Sequence, residues 1–142
     1  MISVQLSPPS SDRYIFFSSH HPGQVEAYKK QVLALFMTEK PYLDPKFSLS
    51  DLSEKLSIST KHLSQVINQS FDQSFFDFIN AYRIQEVQQI LKESGNDKVT
   101  VLEAMYQAGF NSKSSFNTAF KKVTGQTPSE FRKMIMQMRS TS

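Results

Sequence analysis

The chain has no cysteine among its 142 residues. Disulfide bonds and thiolate-ligated metal sites are therefore excluded, and this composition fits a reducing compartment. Every apolar run is far shorter than the ~20 residues that a membrane-spanning helix needs, and the N-terminus lacks the charged and apolar regions of a secretion signal. We therefore expect a cytoplasmic protein without a membrane segment.

Motifs for catalysis are also missing. The sequence has no glycine-rich phosphate loop, no His-Glu-x-x-His run and no cysteine nucleophile, and its serines stand mainly where helices are expected to begin. His20 and His21 are adjacent, but no further histidine or cysteine is near, so two solvated side chains explain them better than metal ligands. No enzyme active site, cofactor or metal is therefore expected.

Positive charge is concentrated at one end of the chain. The net charge is +3, yet residues 99–142 hold six lysines and arginines against two glutamates, which gives +4 there and leaves −1 for residues 1–98. If one part of the protein binds a polyanion, it is the C-terminal part.

Residues 100–124 have the pattern of a helix, a turn and a second helix. Thr100 and Glu103 are spaced as a capping box. Gly109 allows the left-handed backbone that ends a helix, and Phe110 is placed to fill the corner. Ser112 is expected to cap the second helix. The apolar face of that helix is predicted to consist of Phe116, Ala119, Phe120 and Val123.

The opposite face of the second helix holds hydrogen-bond donors and cations but no acid. Its residues are Lys113, Ser114, Asn117, Thr118, Lys121 and Lys122. Short polar side chains suit base edges, and paired lysines suit phosphate oxygens. A merely solvated helix face is the alternative explanation, and the turn pattern around it favours DNA binding.

An earlier segment repeats this unit. A capping box at Ser48 and Asp51 opens it. Its core positions Leu49, Leu52, Leu56 and Ile58 match Val101, Ala104, Ala108 and Phe110 at an offset of 52. After one extra residue in the second turn, Ser59, Leu63, Ile67, Asp72, Ser74, Asp77 and Phe78 match Ser112, Phe116, Phe120, Gly125, Thr127, Glu130 and Phe131 at an offset of 53. The chain is therefore predicted to build one supersecondary unit twice.

Two further helices complete the predicted fold. Apolar spacing indicates an amphipathic helix from Gln24 to Met37 and a long helix from Ser74 to about Glu93, ended by Gly95-Asn96. A helix of ~20 residues spans ~30 Å, close to the ~34 Å between successive major grooves. The predicted fold is all-α, with two helix-turn-helix subdomains joined by a long linker helix. The expected boundaries are 1–23 for a flexible tail or linker, 24–73 and 95–138 for the subdomains, 74–94 for the linker helix and 139–142 for a second tail.

From Arg83 to Arg132 the chain resembles the C-terminal DNA-binding domain of the AraC/XylS family of bacterial transcription regulators. The matching residues are Arg83-Ile84, Gly109-Phe110, Ser112, Ser115-Phe116, Phe120-Lys121-Lys122, Gly125, Pro128 and Phe131-Arg132. With the upstream half included, the resemblance covers residues 24–138. It implies sequence-specific binding of duplex DNA by a transcription regulator, with two recognition helices in adjacent major grooves.

The resemblance and the helix faces together nominate DNA-contacting residues. The base-contact candidates are Lys61, Ser64, Gln65, Lys113, Ser114, Asn117 and Thr118. The phosphate-contact candidates are Ser59, Thr60, Arg83, Ser112, Lys121 and Lys122. Gln65 suits adenine, whereas Thr118 stands where many relatives have arginine and is not expected to read a base strongly. For Arg83, a structural role beside a neighbouring acid is an equal alternative.

Two other functions stay open on the sequence. The chain can be a helical protein-interaction module that uses exposed phenylalanines or its methionine-rich end, or a DNA-binding fragment of a larger sensor-regulator without its signal-input domain. Double-stranded DNA is the expected partner, and RNA polymerase is a second candidate. One chain can occupy two adjacent grooves, so a monomer or weak dimer is expected.

Overall fold

The computed structural model describes residues 22–94 and 99–140 of the chain. Within those residues it contains seven α-helices and no strand, as the all-α prediction requires. The helices are α1 (Pro22–Glu39), α2 (Leu49–Leu56), α3 (Thr60–Phe71), α4 (Phe75–Glu93), α5 (Val101–Gln107), α6 (Lys113–Thr124) and α7 (Pro128–Ser140), with a 3-10 helix at Pro41–Leu43. The expectations for residues 1–21, including His20-His21, and for Gly95-Asn96 lie outside the described residues.

The predicted N-caps are present. Ser48 and Asp51 exchange two hydrogen bonds at the start of α2, and Thr100 and Glu103 do the same at the start of α5. The hydroxyls of Ser59, Ser74 and Ser112 each accept a hydrogen bond from the amide three residues later. Each cap satisfies an amide that has no partner inside its own helix, which fixes where the helix begins.

The two helix-turn-helix corners have the same backbone geometry. The amide of Ile58 donates to the carbonyl of Ser53 at 3.2 Å, and the amide of Phe110 donates to that of Met105 at 3.1 Å. Both bonds connect residues five apart, as in a Schellman turn. Both corner residues are buried, as predicted. Gly109 has the predicted positive φ, 103°.

Two hydrophobic clusters share α4. The first contains Val32, Phe36, Leu52, Leu63, Ile67 and Phe78, and the second contains Ile84, Val87, Met105, Phe110, Phe116, Phe120 and Phe131. The N-terminal half of α4 belongs to the first cluster and its C-terminal half to the second. This helix therefore joins α2–α3 to α5–α7.

The structure corrects one predicted core position. Val123 is 43% exposed, whereas Phe116, Ala119 and Phe120 on the same helix are buried. Val123 lies one turn beyond Phe120 and lines an open groove between α4 and α6, together with Phe76, so no element covers it. None of the described helices is long and apolar enough to cross a bilayer.

Candidate nucleic-acid interface

The polar face of α6 is an open surface. All six of its predicted contact residues are exposed: Lys113, Ser114, Asn117, Thr118, Lys121 and Lys122. On the opposite side Phe116, Ala119 and Phe120 are no more than 6% exposed, and they anchor the helix to the second cluster. The packing therefore holds α6 with its donors and cations turned to solvent.

The corresponding face of α3 is less open. Thr60, Lys61 and Ser64 are exposed, but Gln65 is half-buried. The Oε1 atom of Gln65 is buried and has no hydrogen-bond partner among the described residues. Exchanging the amide oxygen and nitrogen would bury the donor instead. Because bidentate recognition of adenine needs both amide atoms, Gln65 must change its side-chain conformation to read that base.

Helix α1 covers part of α3. The rings of Tyr28 and His62 stack with their centroids 6.5 Å apart. The amide of His62 also donates to the capping hydroxyl of Ser59 at 3.1 Å. Asn68, one turn after Ser64, has a buried Oδ1 with no partner among the described residues. The exposed contact candidates of α3 therefore all lie in its first two turns.

Arg83 does not lie at the surface, so the prediction that it contacts phosphate is wrong. It is 7% exposed. Its Nε donates to the carbonyl of Tyr42 at 2.7 Å, and its Nη2 donates to the carbonyl of Asp44 at 3.0 Å. Burial lowers the pKa of Arg83, and the charge of Asp44 opposes that shift. The guanidinium is held inside the protein by backbone carbonyls rather than by an acidic side chain, and a phosphate cannot reach it.

The first turns of α3 and α6 reveal a signal that sequence reasoning missed. Helices α2, α4, α5 and α7 each carry an acid in the first turn, whereas α3 and α6, like α1, carry none. An acid there would compensate the positive end of the helix dipole and repel an anion. Without one, the exposed amides and the Ser59 and Ser112 hydroxyls suit a phosphate oxygen.

The two lysines at the end of α6 have different neighbours. Lys122 Nζ lies 3.0 Å from Asp77 Oδ2 on α4, and its side chain is still 65% exposed. Lys121 is exposed on the same face, and its charge contributes to lowering the pKa of Glu130 on α7. Exposed ion pairs contribute little to stability, so Lys122 can exchange its carboxylate partner for a phosphate at small cost.

Comparison with known proteins identifies similar chains. A family model described as a helix-turn-helix domain matches residues 52–134. The Msm operon regulatory protein of Streptococcus mutans is 28% identical over 113 residues, which are 80% of this chain and 38% of that protein. An uncharacterized HTH-type transcriptional regulator of Staphylococcus aureus is 36% identical over 85 residues, 60% of this chain and 11% of that protein. The chain therefore spans well under half the length of these relatives.

Solved structures share the fold. The C-terminal domain of the two-component response regulator YesN from Fusobacterium nucleatum is 31% identical with a TM-score of 0.59, and the match covers 73% of this chain and 98% of that one. A protein of unknown function from Listeria innocua is 25% identical with a TM-score of 0.64, covering 74% of this chain and 94% of that one. Nearly the whole of each solved chain is thus matched.

Proposed function

The chain belongs to the AraC/XylS family of helix-turn-helix transcription regulators, and from that membership we propose that α3 and α6 read base sequence in adjacent major grooves of one DNA duplex. The observation that carries the proposal is the open, acid-free face of α6, set on a helix whose first turn also lacks an acid. An unobstructed surface of donors and cations suits the major groove and the phosphates beside it.

Base recognition falls to exposed side chains in this proposal. Asn117 is the strongest candidate, because a carboxamide can donate to and accept from one adenine. Lys113 and Lys61 suit guanine, while Ser64, Ser114 and Thr118 supply single hydrogen bonds. Gln65 joins them only after its amide turns outward.

Phosphate contacts position the helices in this proposal. Ser59, Thr60 and Ser112 stand at helix N-termini, where backbone amides without a partner in their own helix favour an anion. Lys121 and Lys122 follow at the end of α6 and supply most of the salt-dependent affinity. We assign residues 24–73 and 95–138 to the two reading units and 74–94 to the linker helix. RNA polymerase stays a second candidate partner.

Affinity selection on randomised duplex DNA at ~150 mM salt tests the proposal, since purely electrostatic binding is already weak there. Enrichment of two short motifs about ten base pairs apart is expected. Binding that appears only at low salt and enriches no motif would contradict the proposal and favour a protein-interaction role.

A matched pair of double variants tests the phosphate contacts. Lys121→Ala with Lys122→Ala removes two contacts, so the slope of log affinity against log salt should fall in magnitude by about 2. Lys92→Ala with Lys133→Ala removes the same charge from exposed lysines on other helices, α4 and α7, and should change the slope by much less. Equal slopes in the two double variants would place the DNA elsewhere on the protein.

A further inference from the structure

Arg83 contacts both helix-turn-helix units. It lies near the middle of α4, between residues that pack in the first cluster and residues that pack in the second. Its hydrogen bonds go to the carbonyls of Tyr42 and Asp44, in and just after the 3-10 helix of the first unit. On its other side, the guanidinium carbon lies 5.9 Å from the centroid of the Phe110 ring, the corner residue of the second unit. One side chain therefore bridges the units.

Gly109 of the second unit lies against the same 3-10 helix of the first unit. Its φ of 103° is unfavourable for any residue with a Cβ. A Cβ added there would also overlap the carbonyl oxygen of Tyr42 and would lie 2.9 Å from Arg83 Nε and 3.1 Å from the carbonyl oxygen of Leu43. Two of these three atoms belong to the backbone, which cannot swing aside as a flexible side chain can. The turn of the second unit is thus seated on the 3-10 helix of the first.

We infer that Tyr42, Asp44, Arg83, Gly109 and Phe110 form a rigid junction that fixes the distance and the rotation between α3 and α6, and thereby the spacing of the two DNA motifs. The inference rests on the proposed function. Arg83 and Gly109 are positioning residues, since neither touches DNA. One base pair added between motifs moves the second by about 3.4 Å and turns it by roughly 35° around the duplex. A rigid junction cannot follow that change, whereas a loosened one can.

Two variants attack the junction from opposite sides. Arg83→Met keeps a long unbranched side chain at this position of α4 but removes both hydrogen bonds to the first unit. Gly109→Ala adds the Cβ that overlaps Tyr42. The matched controls act inside the second unit: Arg132→Met removes a hydrogen bond of 2.6 Å to the carbonyl of Val99, and Gly125→Ala places a Cβ at φ 80° with nothing within 4 Å. The controls have similar chemistry, and the hydrogen bond that Arg132→Met removes lies within the second unit.

The first readout is affinity for duplexes that carry both selected motifs at the preferred spacing and at one or two base pairs more or less. When the second motif cannot be engaged, the gain from linking the two sites is lost, about 10²-fold or more. We expect that loss in the wild-type chain and both controls, and less than about threefold variation in the junction variants. Affinity for a duplex with a single motif should stay within about twofold in all five proteins. Junction variants with the wild-type spacing profile would overturn the inference.

The second readout needs no DNA. Because the chain has no cysteine, spin labels can be placed only where they are wanted, at Glu54→Cys on α2 and Gln137→Cys on α7, both exposed. A narrow distance distribution is expected in the otherwise wild-type chain and in the two controls, and a broad one in Arg83→Met and Gly109→Ala. Equal widths would overturn the junction. Narrow distances without any selected DNA motif would sink the proposed function and leave the junction standing.

Discussion

The two helix-turn-helix units share a backbone plan but fill its left-handed positions differently. Ser57 and Gly109 are equivalent at the offset of 52, and Asp72 and Gly125 at the offset of 53. All four have positive φ, from 55° to 103°. The second unit therefore uses glycine where the first uses residues with a Cβ. The two units therefore repeat the same backbone conformation. At Ser57 and Asp72 a residue with a Cβ adopts a positive φ, and both of these residues are exposed.

The reading helices differ in a second way. Helix α6 presents all six predicted contact residues, whereas Gln65 and Asn68 of α3 are half-buried. Part of the predicted recognition surface of the first unit is therefore buried. From this contrast we expect α6 to contribute more sequence preference than α3.

The largest expected effects are on stability, and they test whether equivalent core positions in the two units contribute equally. Phe120 and Ile67 occupy the same place in the repeat, and both are fully buried. Phe120→Ala should lower the free energy of unfolding by about 3–5 kcal/mol and Ile67→Ala by about 2–5 kcal/mol, through lost burial and the cavity left behind. Urea unfolding followed by circular dichroism measures both. A cost below about 1 kcal/mol at either position would show that the equivalence is only formal.

The next effect sharpens the contrast between reading helices. Asn117→Ala should weaken binding to the selected site by about 1–3 kcal/mol and relax its preference at one base pair. Gln65→Ala should cost less than about 0.5 kcal/mol, because the free protein holds one of its amide atoms inside and must first expose it. Gln69→Ala is the control, because Gln69 is exposed on α3 and is not among the proposed DNA-contact residues. A larger loss at Gln65 than at Asn117 would reverse the proposed order of the helices.

Features with local chemical causes could be predicted from the sequence. Thr100 with Glu103 and Ser48 with Asp51 cap helices through partners three residues away, and Gly109 ends a turn through its own backbone freedom. Phe110 and Ile58 fill corners because a buried apolar residue must follow each turn. The all-α fold and the repeat rest on signals of this kind.

Features that depend on distant contacts could not be predicted. A structural role for Arg83 is one of the two alternatives that the sequence leaves open, but its partners, carbonyls 39 and 41 residues away, could not be predicted because every residue has a backbone carbonyl. Gln65 is half-buried, and Val123 is exposed beside an open groove between α4 and α6; both depend on how the helices pack together. The acid-free first turns of α3 and α6 can be found in the sequence once the helix starts are known, but α1 shares this feature, so it does not by itself single out the reading helices.

A smaller effect tests the strain in the first unit. Ser57→Gly should stabilise the protein by about 0.5–1 kcal/mol. A left-handed residue with a Cβ costs about 1–2 kcal/mol, and glycine removes this cost but increases the conformational entropy of the unfolded chain, which offsets part of the stabilisation. Asp72→Gly should gain less, because aspartate tolerates this conformation better than serine. Ser50→Gly, at an exposed position inside α2, should instead destabilise by up to about 1 kcal/mol. A melting temperature below that of the wild type in all three variants would show that Ser57 is not strained.

The smallest effect concerns a cap that the units complete differently. The Thr127 amide donates to Glu130 Oε1 at 2.8 Å, and the Glu130 amide donates to Thr127 Oγ1 at 3.1 Å. At the equivalent place in the first unit, the Asp77 amide donates to Ser74, but the Asp77 carboxylate binds Lys122. Glu130 thus closes a reciprocal capping box within α7, whereas Asp77 ties α4 to α6.

The hydrogen bond from the Thr127 backbone amide lowers the pKa of Glu130 from its ordinary value of 4.5. A carboxyl with a lower pKa in the folded state stabilises the protein fully above its unfolded pKa, and this contribution disappears as the pH falls through the folded pKa. Glu130→Gln retains a capping side chain without the charge, so it should melt slightly below wild type at about pH 7, and the difference should disappear as the pH falls through the lowered pKa of Glu130. Glu130→Ala also loses the hydrogen bond, so its deficit should persist at low pH. A Glu130→Gln deficit that does not change with pH would mean that the charge of Glu130 plays no part in the cap.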